Sequence, residues 1–186
     1  HLGPLVCRSS VERLTARVNG VRPDLIALTG DLVDGEADGV KEKAELMGAL
    51  KAPHGVFFVT GNHEYYSGVA KWIPILRAMG WRVLDNEHVL IERGGARLAV
   101  AGLPDPTARG RRGDGKGPDL AKALAGVPPE ATKILLFHPP TGYEAAERAG
   151  VRLQLSGHTH AGQYFPWSLL VQSIYRFPRG LHRFGG

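Results

Sequence analysis

Side chains that bind metals recur at the ends of five short segments of this chain. The segments are His1-Leu2-Gly3, Gly30 to Asp34, Gly61 to Glu64, Phe137-His138-Pro139 and Gly157 to His160. One apolar run ending in a histidine is common by chance, but an ordered series of five such segments is not. Two divalent cations about 3.5–4 Å apart need a shared anionic ligand, several imidazoles and open positions for water and substrate oxygens. The series therefore indicates a two-metal hydrolytic site.

The residue types in these segments suit such a site. A carboxylate can give an oxygen to each of two metals, so Asp31 fits a bridging position. Asn62 offers an uncharged amide oxygen, which keeps the metals more Lewis acidic than another carboxylate would. His158 and His160 are two positions apart, and in extended backbone both rings would point to one side. This mixed set of nitrogen and oxygen ligands suits Mn²⁺, Fe or Zn²⁺.

A glycine precedes the candidate ligands in three of the segments. Gly30, Gly61 and Gly157 stand where a strand end must turn sharply without a Cβ in the way. We therefore expect the ligands to follow buried strands, at the carboxyl edge where open α/β sheets place their sites.

In this order the segments resemble the signature of the calcineurin-like metallophosphoesterase family, which reads D-x-H, G-D-x-x-D, G-N-H-[ED], H and G-H-x-H. The matching positions are His1, Asp31 to Asp34, Gly61 to Glu64, His138 and Gly157 to His160. The resemblance spans the chain, so residues 1–186 are expected to form one metallophosphoesterase domain. It also implies a fragment truncated at both ends, because the first Asp, the strand that carries it and the final strands of the family fold are missing.

A second resemblance indicates which branch of the family is most similar to this chain. The stretch from Leu155 to Gln163, followed by Tyr164 to Leu170, looks like a bacterial branch that is often membrane-associated. Some members of that branch carry transmembrane helices ahead of the phosphoesterase domain. We therefore expect the full-length protein to be membrane-associated and the fragment itself to be soluble.

The family resemblance implies a role for each candidate residue. The ligands of one metal would be His1, Asp31 and His160, and those of the other would be Asp31, Asn62, His138 and His158. His63 would protonate or stabilise the leaving oxygen, with Asp34 orienting its ring. A metal-bound hydroxide would attack phosphorus in line, without a covalent enzyme intermediate.

Hydrophobic periodicity predicts alternating helices and strands that position these residues. The predicted helices cover about 10–20, 38–50, 69–79 and 143–149, with Ser9 or Ser10 capping the first and Pro74 disturbing the third. The predicted strands cover 24–29, 55–60, 89–93, 97–102, 133–137 and 153–156, with a hairpin turn at Gly94-Gly95. The fold that the resemblance implies is α/β with four layers, a two-sheet β-sandwich flanked by helices.

The composition is that of a globular chain with a basic balance. With 186 residues, 43% of them hydrophobic and 22% charged, the chain can bury one substantial core. Its 23 Lys and Arg against 18 Asp and Glu give a net charge of +5, which suits phosphorylated substrates, nucleic acid and an acidic membrane surface alike. The single cysteine, Cys7, cannot form an intramolecular disulfide and is expected to be a small buried side chain.

These observations predict binuclear metal-dependent hydrolysis of a phosphoester or pyrophosphate bond, in a substrate that is small or lipid-linked. A metal-dependent nuclease at the same site is a second hypothesis, although no nucleic-acid module or interleaved aromatic and basic stripe supports it. A metal-binding domain without turnover is a third hypothesis. No protein partner is predicted.

Three other features have alternative interpretations. Gly110 to Lys116 spells G-x-x-x-x-G-K, but Gly and Pro follow in place of Ser or Thr and a helix, which excludes an NTPase loop. Its basic residues, Arg111, Arg112 and Lys116, would lie on a surface insertion or contact a phosphate group.

The segment from Tyr164 to Leu170 would pack against the missing strands, or would form an apolar lip that contacts an acyl chain or the bilayer interface. Glu64 is either a partner of the ligand residues or an acid that starts a helix.

Overall fold

The computed structural model describes residues 1–110, 113, 115–162 and 165–185, without the side chains of residues 167–169 and 172. The α-helices are α1 (Arg8–Gly20), α2 (Ala37–Glu45), α3 (Asn62–Tyr66), α4 (Val69–Ala78), α5 (Leu120–Ala123), α6 (Tyr143–Arg148) and α7 (Trp167–Ile174). The strands are β1 (Ile26–Leu28), β2 (Val56–Phe58), β3 (Arg82–Val83), β4 (Glu87–Arg93), β5 (Ala96–Gly102), β6 (Thr132–Leu136) and β7 (Val151–Leu155). Short 3-10 helices cover Leu46–Ala49, Pro106–Arg109 and His160–Gly162.

The strands form two sheets. β1, β2 and β3 lie side by side in that order and are parallel. The second sheet has the order β4-β5-β6-β7, in which β5, β6 and β7 are parallel and β4 pairs antiparallel with β5. Gly94 and Gly95 make the β4–β5 turn at φ values of 56° and 80°, the positive values that a tight two-residue hairpin requires. The predicted hairpin is confirmed.

Alternating side chains along the strands divide the core into layers. Phe57 of β2, Val100 of β5 and Leu136 of β6 belong to one buried cluster between the two sheets. Phe58, on the opposite face of β2, belongs to a cluster that includes Trp72 of α4. A third cluster packs β5 and β6 against α5 and α6. The order is thus helices, sheet, sheet, helices, which confirms the expected α/β fold of four layers with a two-sheet sandwich flanked by helices.

The start of α1 differs from the sequence prediction. The helix begins at Arg8 with Cys7 at its N-cap position, and no side chain caps it. Ser9 and Ser10 lie inside the first turn, where they cannot occupy the cap position, so the predicted serine cap is wrong. Cys7 is exposed. Its expected burial is also wrong, because the residue precedes the part of the helix that faces the core.

Pro74 does not interrupt α4. The helix runs from Val69 to Ala78 with Pro74 inside it. Trp72 and Leu76 flank the proline and are 0% and 1% exposed, so packing stabilises both turns despite the lost backbone hydrogen bond. The sequence does not predict α3, α5 or α7. The first two contain five and four residues, which is too short for a helical period to be visible.

Candidate metal centre

The predicted ligands follow strands of both sheets. Asp31 follows β1 and Asn62 follows β2 in the first sheet, while His138 follows β6 and His158 follows β7 in the second. In each sheet the two strands are parallel neighbours, so their carboxyl ends share one edge. The contact between Asp31 and His138 joins the two edges. The expected position at strand ends is confirmed, and the ligands lie where parallel sheets place their sites.

Four of the predicted ligands converge below the surface. His138 is 1% exposed, and its Nε2 lies 3.0 Å from Oδ2 of Asp31. Its Nδ1 donates to the carbonyl oxygen of Thr29 at 2.6 Å, which leaves Nε2 free to bind a cation. Nδ1 of His158 lies 3.2 Å from that Nε2 and 2.9 Å from Oδ1 of Asn62. We call Asp31, Asn62, His138 and His158 the buried group.

Asp31 also faces a set of imidazoles nearer the surface. Its Oδ2 lies 3.6 Å from Nε2 of His1, and that nitrogen lies 3.1 Å from Nε2 of His160. We call Asp31, His1 and His160 the exposed group, because His1 and His160 are exposed residues. The structure therefore brings all six predicted ligands together, and Asp31 is the residue that the two groups share.

The chemistry of these donors fits divalent cations. Burial lowers the pKa of His158, and neighbouring His138 lowers it further, which favours the neutral ring that metals bind. Burial pushes the pKa of Asp31 upward, but His138 and the backbone N–H of His63 outweigh it, so the pKa is lowered. Burial lowers the pKa of His138, but Asp31 outweighs it and raises the pKa. A cation would therefore displace a proton from the Asp31–His138 pair.

His63 lies at the surface side of the centre, next to His1. The two ring centroids are 4.1 Å apart, and ligand atoms of His1, Asp31 and His63 all lie within 4.8 Å of one another. Nδ1 of His63 lies 3.0 Å from Oδ1 of Asp34, whose side chain is 59% exposed. The pairing with Asp34 is the one that the resemblance implied. Distance alone also admits His63 as a metal ligand, so its assignment to catalysis stays a prediction.

Three of the predicted ligand residues have backbone in the left-handed region. The φ values are 55° at Asp31, 71° at His158 and 48° at His160. The extended backbone expected for the two histidines is therefore wrong, because their rings reach the site through a turn that follows Gly157. Such backbone costs about 1–3 kcal/mol per residue and clusters where the surrounding structure holds side chains for function.

Glu64 is the residue of this site whose role the sequence left open. Its side chain is fully buried and accepts four backbone N–H groups. The donors are Gly61 at 2.6 Å, Asp31 at 2.9 Å, Leu32 at 2.7 Å and Val33 at 3.2 Å. Burial raises the pKa of Glu64, and these hydrogen bonds oppose the rise. Glu64 thus joins the Asp31 loop to the Asn62 loop, and it also caps the first turn of α3 through the N–H of Gly61, so both roles that the sequence left open are present.

Close packing of these two loops explains two of the three glycines. Gly30 has a φ of 88°, and a Cβ on it would overlap the backbone of Gly61. A Cβ on Gly61 would in turn overlap Asp31. At Gly157 a Cβ would lie 3.3 Å from Oγ1 of Thr29, a tight contact that a small movement of the hydroxyl relieves. The steric expectation is confirmed for Gly30 and Gly61 and is weak for Gly157.

Several residues singled out in the sequence lie elsewhere or outside the described residues. Arg111, Arg112 and Tyr164 are outside them, as are the side chains of Trp167 and Leu169. Lys116 lines a surface cavity with Asn86 and Asp119, and no predicted ligand lines that cavity. Within the part of the chain that the structure describes, no helix combines the length and hydropathy needed to cross a membrane.

Known proteins resemble this chain over most of its length. The family profile described as calcineurin-like phosphoesterase matches residues 3–162. A Danio rerio protein named transmembrane protein with metallophosphoesterase domain is 40% identical over 189 aligned residues, covering 98% of this chain and 43% of that protein. An uncharacterized metallophosphoesterase of Helicobacter pylori strain J99 is 37% identical, covering 100% of this chain and 49% of that protein. An uncharacterized metallophosphoesterase of Aquifex aeolicus is 35% identical, covering 97% of this chain and 68% of that protein.

A solved structure has a similar fold. The Haemophilus influenzae NAD nucleotidase aligns with a TM-score of 0.54 over 82% of this chain and 36% of that chain, at 21% sequence identity. At that identity the similarity concerns the fold alone. The chain spans less than half the length of the Danio rerio and Helicobacter pylori relatives.

Proposed function

This chain belongs to the calcineurin-like phosphoesterase family, and on that premise we propose that it hydrolyses phosphoester or pyrophosphate bonds with two divalent metal ions. The observation that carries the proposal is the position of Asp31. Its carboxylate lies 3.0 Å from His138 and 3.6 Å from His1, so the buried and exposed groups share it. A shared carboxylate with imidazoles on both sides suits two cations about 3.5–4 Å apart.

In this proposal the exposed group holds one ion and the buried group holds the other, and Mn²⁺, Fe or Zn²⁺ are suitable ions. When bound, the two ions neutralise phosphate charge and lower the pKa of water, which makes a nucleophile available near neutral pH. The residues around the site hold the predicted ligands in position. The carbonyl oxygen of Thr29 orients His138, and Glu64 holds the backbone of Asp31. Residues 1–186 would act as one metallophosphoesterase domain.

His63 would act on the leaving group. A hydrogen bond from Nδ1 to Oδ1 of Asp34, 3.0 Å away, leaves Nε2 as the nitrogen available to the substrate. A proton on Nε2 would pass to the leaving oxygen as the P–O bond breaks. The backbone N–H of His63 donates to Oδ1 of Asp31 at 2.9 Å, which links the position of the acid to that of the shared ligand.

Metal removal tests the proposed reaction. We expect a chelator to abolish hydrolysis of chromogenic phosphodiesters and monoesters, and added Mn²⁺ to restore it. Asp31→Asn should weaken metal binding at both groups by more than about 10²-fold, since even the partners of metal ligands are worth about 10–100-fold. The matched control is Asp24→Asn, because that side chain is 74% exposed and pairs only with Arg93 among the described residues. Hydrolysis that survives chelation, or that Asp31→Asn leaves unchanged, would contradict the proposal.

We further propose a small or lipid-linked substrate and membrane association of the full-length protein. Leu170 and Ile174, four positions apart on α7, are 47% and 63% exposed and form an apolar stripe. The helix that carries this stripe contacts the 3-10 helix that begins at the predicted ligand His160. The Danio rerio and Bos taurus relatives are both named transmembrane protein with metallophosphoesterase domain, which supports the proposed membrane association.

A comparison of substrates tests the lipid proposal. We expect faster hydrolysis of a lipid-linked phosphate than of its water-soluble headgroup. Leu170→Ser and Ile174→Ser should each reduce that advantage by the value of one apolar contact, about 1–3 kcal/mol, while sparing a chromogenic ester. Val21→Ser is the control, since Val21 is 73% exposed and follows α1. Equal rates on lipid and headgroup would contradict the lipid proposal.

Two other outcomes would favour the alternative functions. Faster cleavage of DNA or RNA than of either phosphate substrate, weakened by salt, would favour the metal-dependent nuclease. Metal binding without hydrolysis of any substrate would favour the non-catalytic metal-binding domain.

A further inference from the structure

A tyrosine that belongs to none of the motifs lies beside the buried group. Tyr175 directly follows α7 in extended backbone. Its ring centroid lies 5.7 Å from that of His158, with an angle of 73° between the two planes. The residue is partly buried, and packing of the last described segment against the ligand loop brings it there.

Contacts beyond α7 hold this tyrosine against the site. The hydroxyl of Thr159, in the loop that carries the two histidines, donates to the carbonyl oxygen of Pro178 at 2.6 Å. The ring of Phe177 packs 5.1 Å from the ring of Tyr143 in α6. The segment that follows Tyr175 is therefore tied both to the ligand loop and to the outer helix layer, so the phenol has a defined position.

The hydroxyl of Tyr175 has the chemistry of a hydrogen-bond donor to an anion. Within the described residues it has no hydrogen-bond partner. A phenol O–H beside the candidate metal centre is suited to a phosphate oxygen, because hydrogen bonds to charged acceptors are the stronger ones.

We propose that Tyr175 is a substrate-binding residue that donates a hydrogen bond to a phosphate oxygen on the side of the centre next to His158. The inference rests on the proposed function and adds a contact to the same site. His63 lies beside the exposed group and Tyr175 beside the buried group, and Asp31 joins the two groups. A phosphate group that spans both would be contacted on two sides. The ligand class is a tetrahedral oxyanion, either the ester or the product phosphate.

Removal of the hydroxyl alone tests this contact. Tyr175→Phe keeps the ring against His158, so the Mn²⁺ content should equal that of wild type. We expect kcat/KM on a chromogenic phosphodiester, and the affinity of the Mn²⁺-loaded protein for inorganic phosphate, each to fall by about 10-fold to 100-fold. Tyr143→Phe is the matched control, because that tyrosine contacts Phe177 and Phe184 in an aromatic cluster formed by the segment that follows Tyr175. Both quantities should be unchanged in the control.

Phosphate binding, followed by calorimetry, separates this inference from the proposed function. If wild type hydrolyses no ester but Tyr175→Phe still weakens phosphate binding, the contact is supported and the hydrolase proposal fails. If wild type hydrolyses esters but Tyr175→Phe matches it in both measurements, the contact is refuted and the hydrolase proposal stands. An equal loss in Tyr143→Phe would assign the effect to the aromatic cluster and overturn the inference. Absence of phosphate binding by the wild-type protein would overturn the inference, while the measured hydrolysis would still decide the proposed function.

Discussion

The buried group and the exposed group differ in how firmly the protein holds their ligands. His138 of the buried group is 1% exposed, and its second ring nitrogen donates to a backbone carbonyl at 2.6 Å. His158 contacts both His138 and the amide oxygen of Asn62. In the exposed group, His1 and His160 contact each other at 3.1 Å. Among the described residues, no hydrogen bond orients the Nδ1 of either ring.

This difference has a thermodynamic consequence. A ring that is already oriented by a second hydrogen bond loses less conformational freedom when it binds a cation, and outer partners of metal ligands are typically worth about 10–100-fold in affinity. We therefore expect the buried group to bind its ion more tightly than the exposed group. Two groups that share one carboxylate can thus have different affinities.

His63→Asn should give the largest effect, and it decides which residues make up the exposed group. His63 lies close enough to His1 and Asp31 to compete with His160 for an ion. We expect kcat on a phosphodiester to fall by about 10²–10⁴-fold, the usual range for loss of a general acid. Metal content, measured by elemental analysis, should stay near wild type. Asp34→Asn, which only disturbs the orientation of the ring, should cost less. If one metal is lost together with the activity, His63 is a metal ligand and belongs to the exposed group.

Titration with Mn²⁺ tests the difference in affinity directly. Calorimetry on the wild-type chain should resolve two unequal binding steps that differ by about 10–100-fold. His138→Ala should remove the tighter step, whereas His1→Ala should remove the weaker one and leave the tighter step nearly unchanged. Two tight and equal sites would show that the exposed histidines are held more firmly than their hydrogen bonds indicate.

Glu64→Gln is expected to have a smaller effect that falls on both groups. Each carboxylate oxygen of Glu64 accepts two backbone N–H groups. The amide NH₂ of glutamine would face two donors in either orientation, which should cost about 1–3 kcal/mol of unfolding free energy. Urea unfolding of the metal-free chain measures this loss, with Glu12→Gln as the control because Glu12 is 51% exposed. Since Glu64 holds the loop of the shared ligand, both Mn²⁺ affinities should fall together. A loss confined to one group would contradict this role.

Much of the site is predictable because four of the five motifs directly follow the end of a strand. An apolar run followed by glycine and a ligand, as at Gly30-Asp31, encodes a buried strand, a turn and a side chain at the sheet edge. Parallel strands then bring such edges together. The hairpin at Gly94-Gly95 is predictable for a similar reason, since the turn chemistry is local. The uncapped start of α1 is not predictable, because no local capping pattern marks it.

The sequence by itself determined the residue types of the predicted ligands, their order along the chain and the position of most of them after strands, because these depend on residue chemistry and on local periodicity. Only the tertiary structure decided which of the predicted ligands face one another. His138 lies 3.0 Å from Asp31, Glu64 bonds the Asp31 loop, and Tyr175 lies beside His158. These contacts join residues distant in the chain, and they depend on how two sheets and their outer helices pack. Local patterns do not encode that packing, because many arrangements of the same elements satisfy the same periodicity.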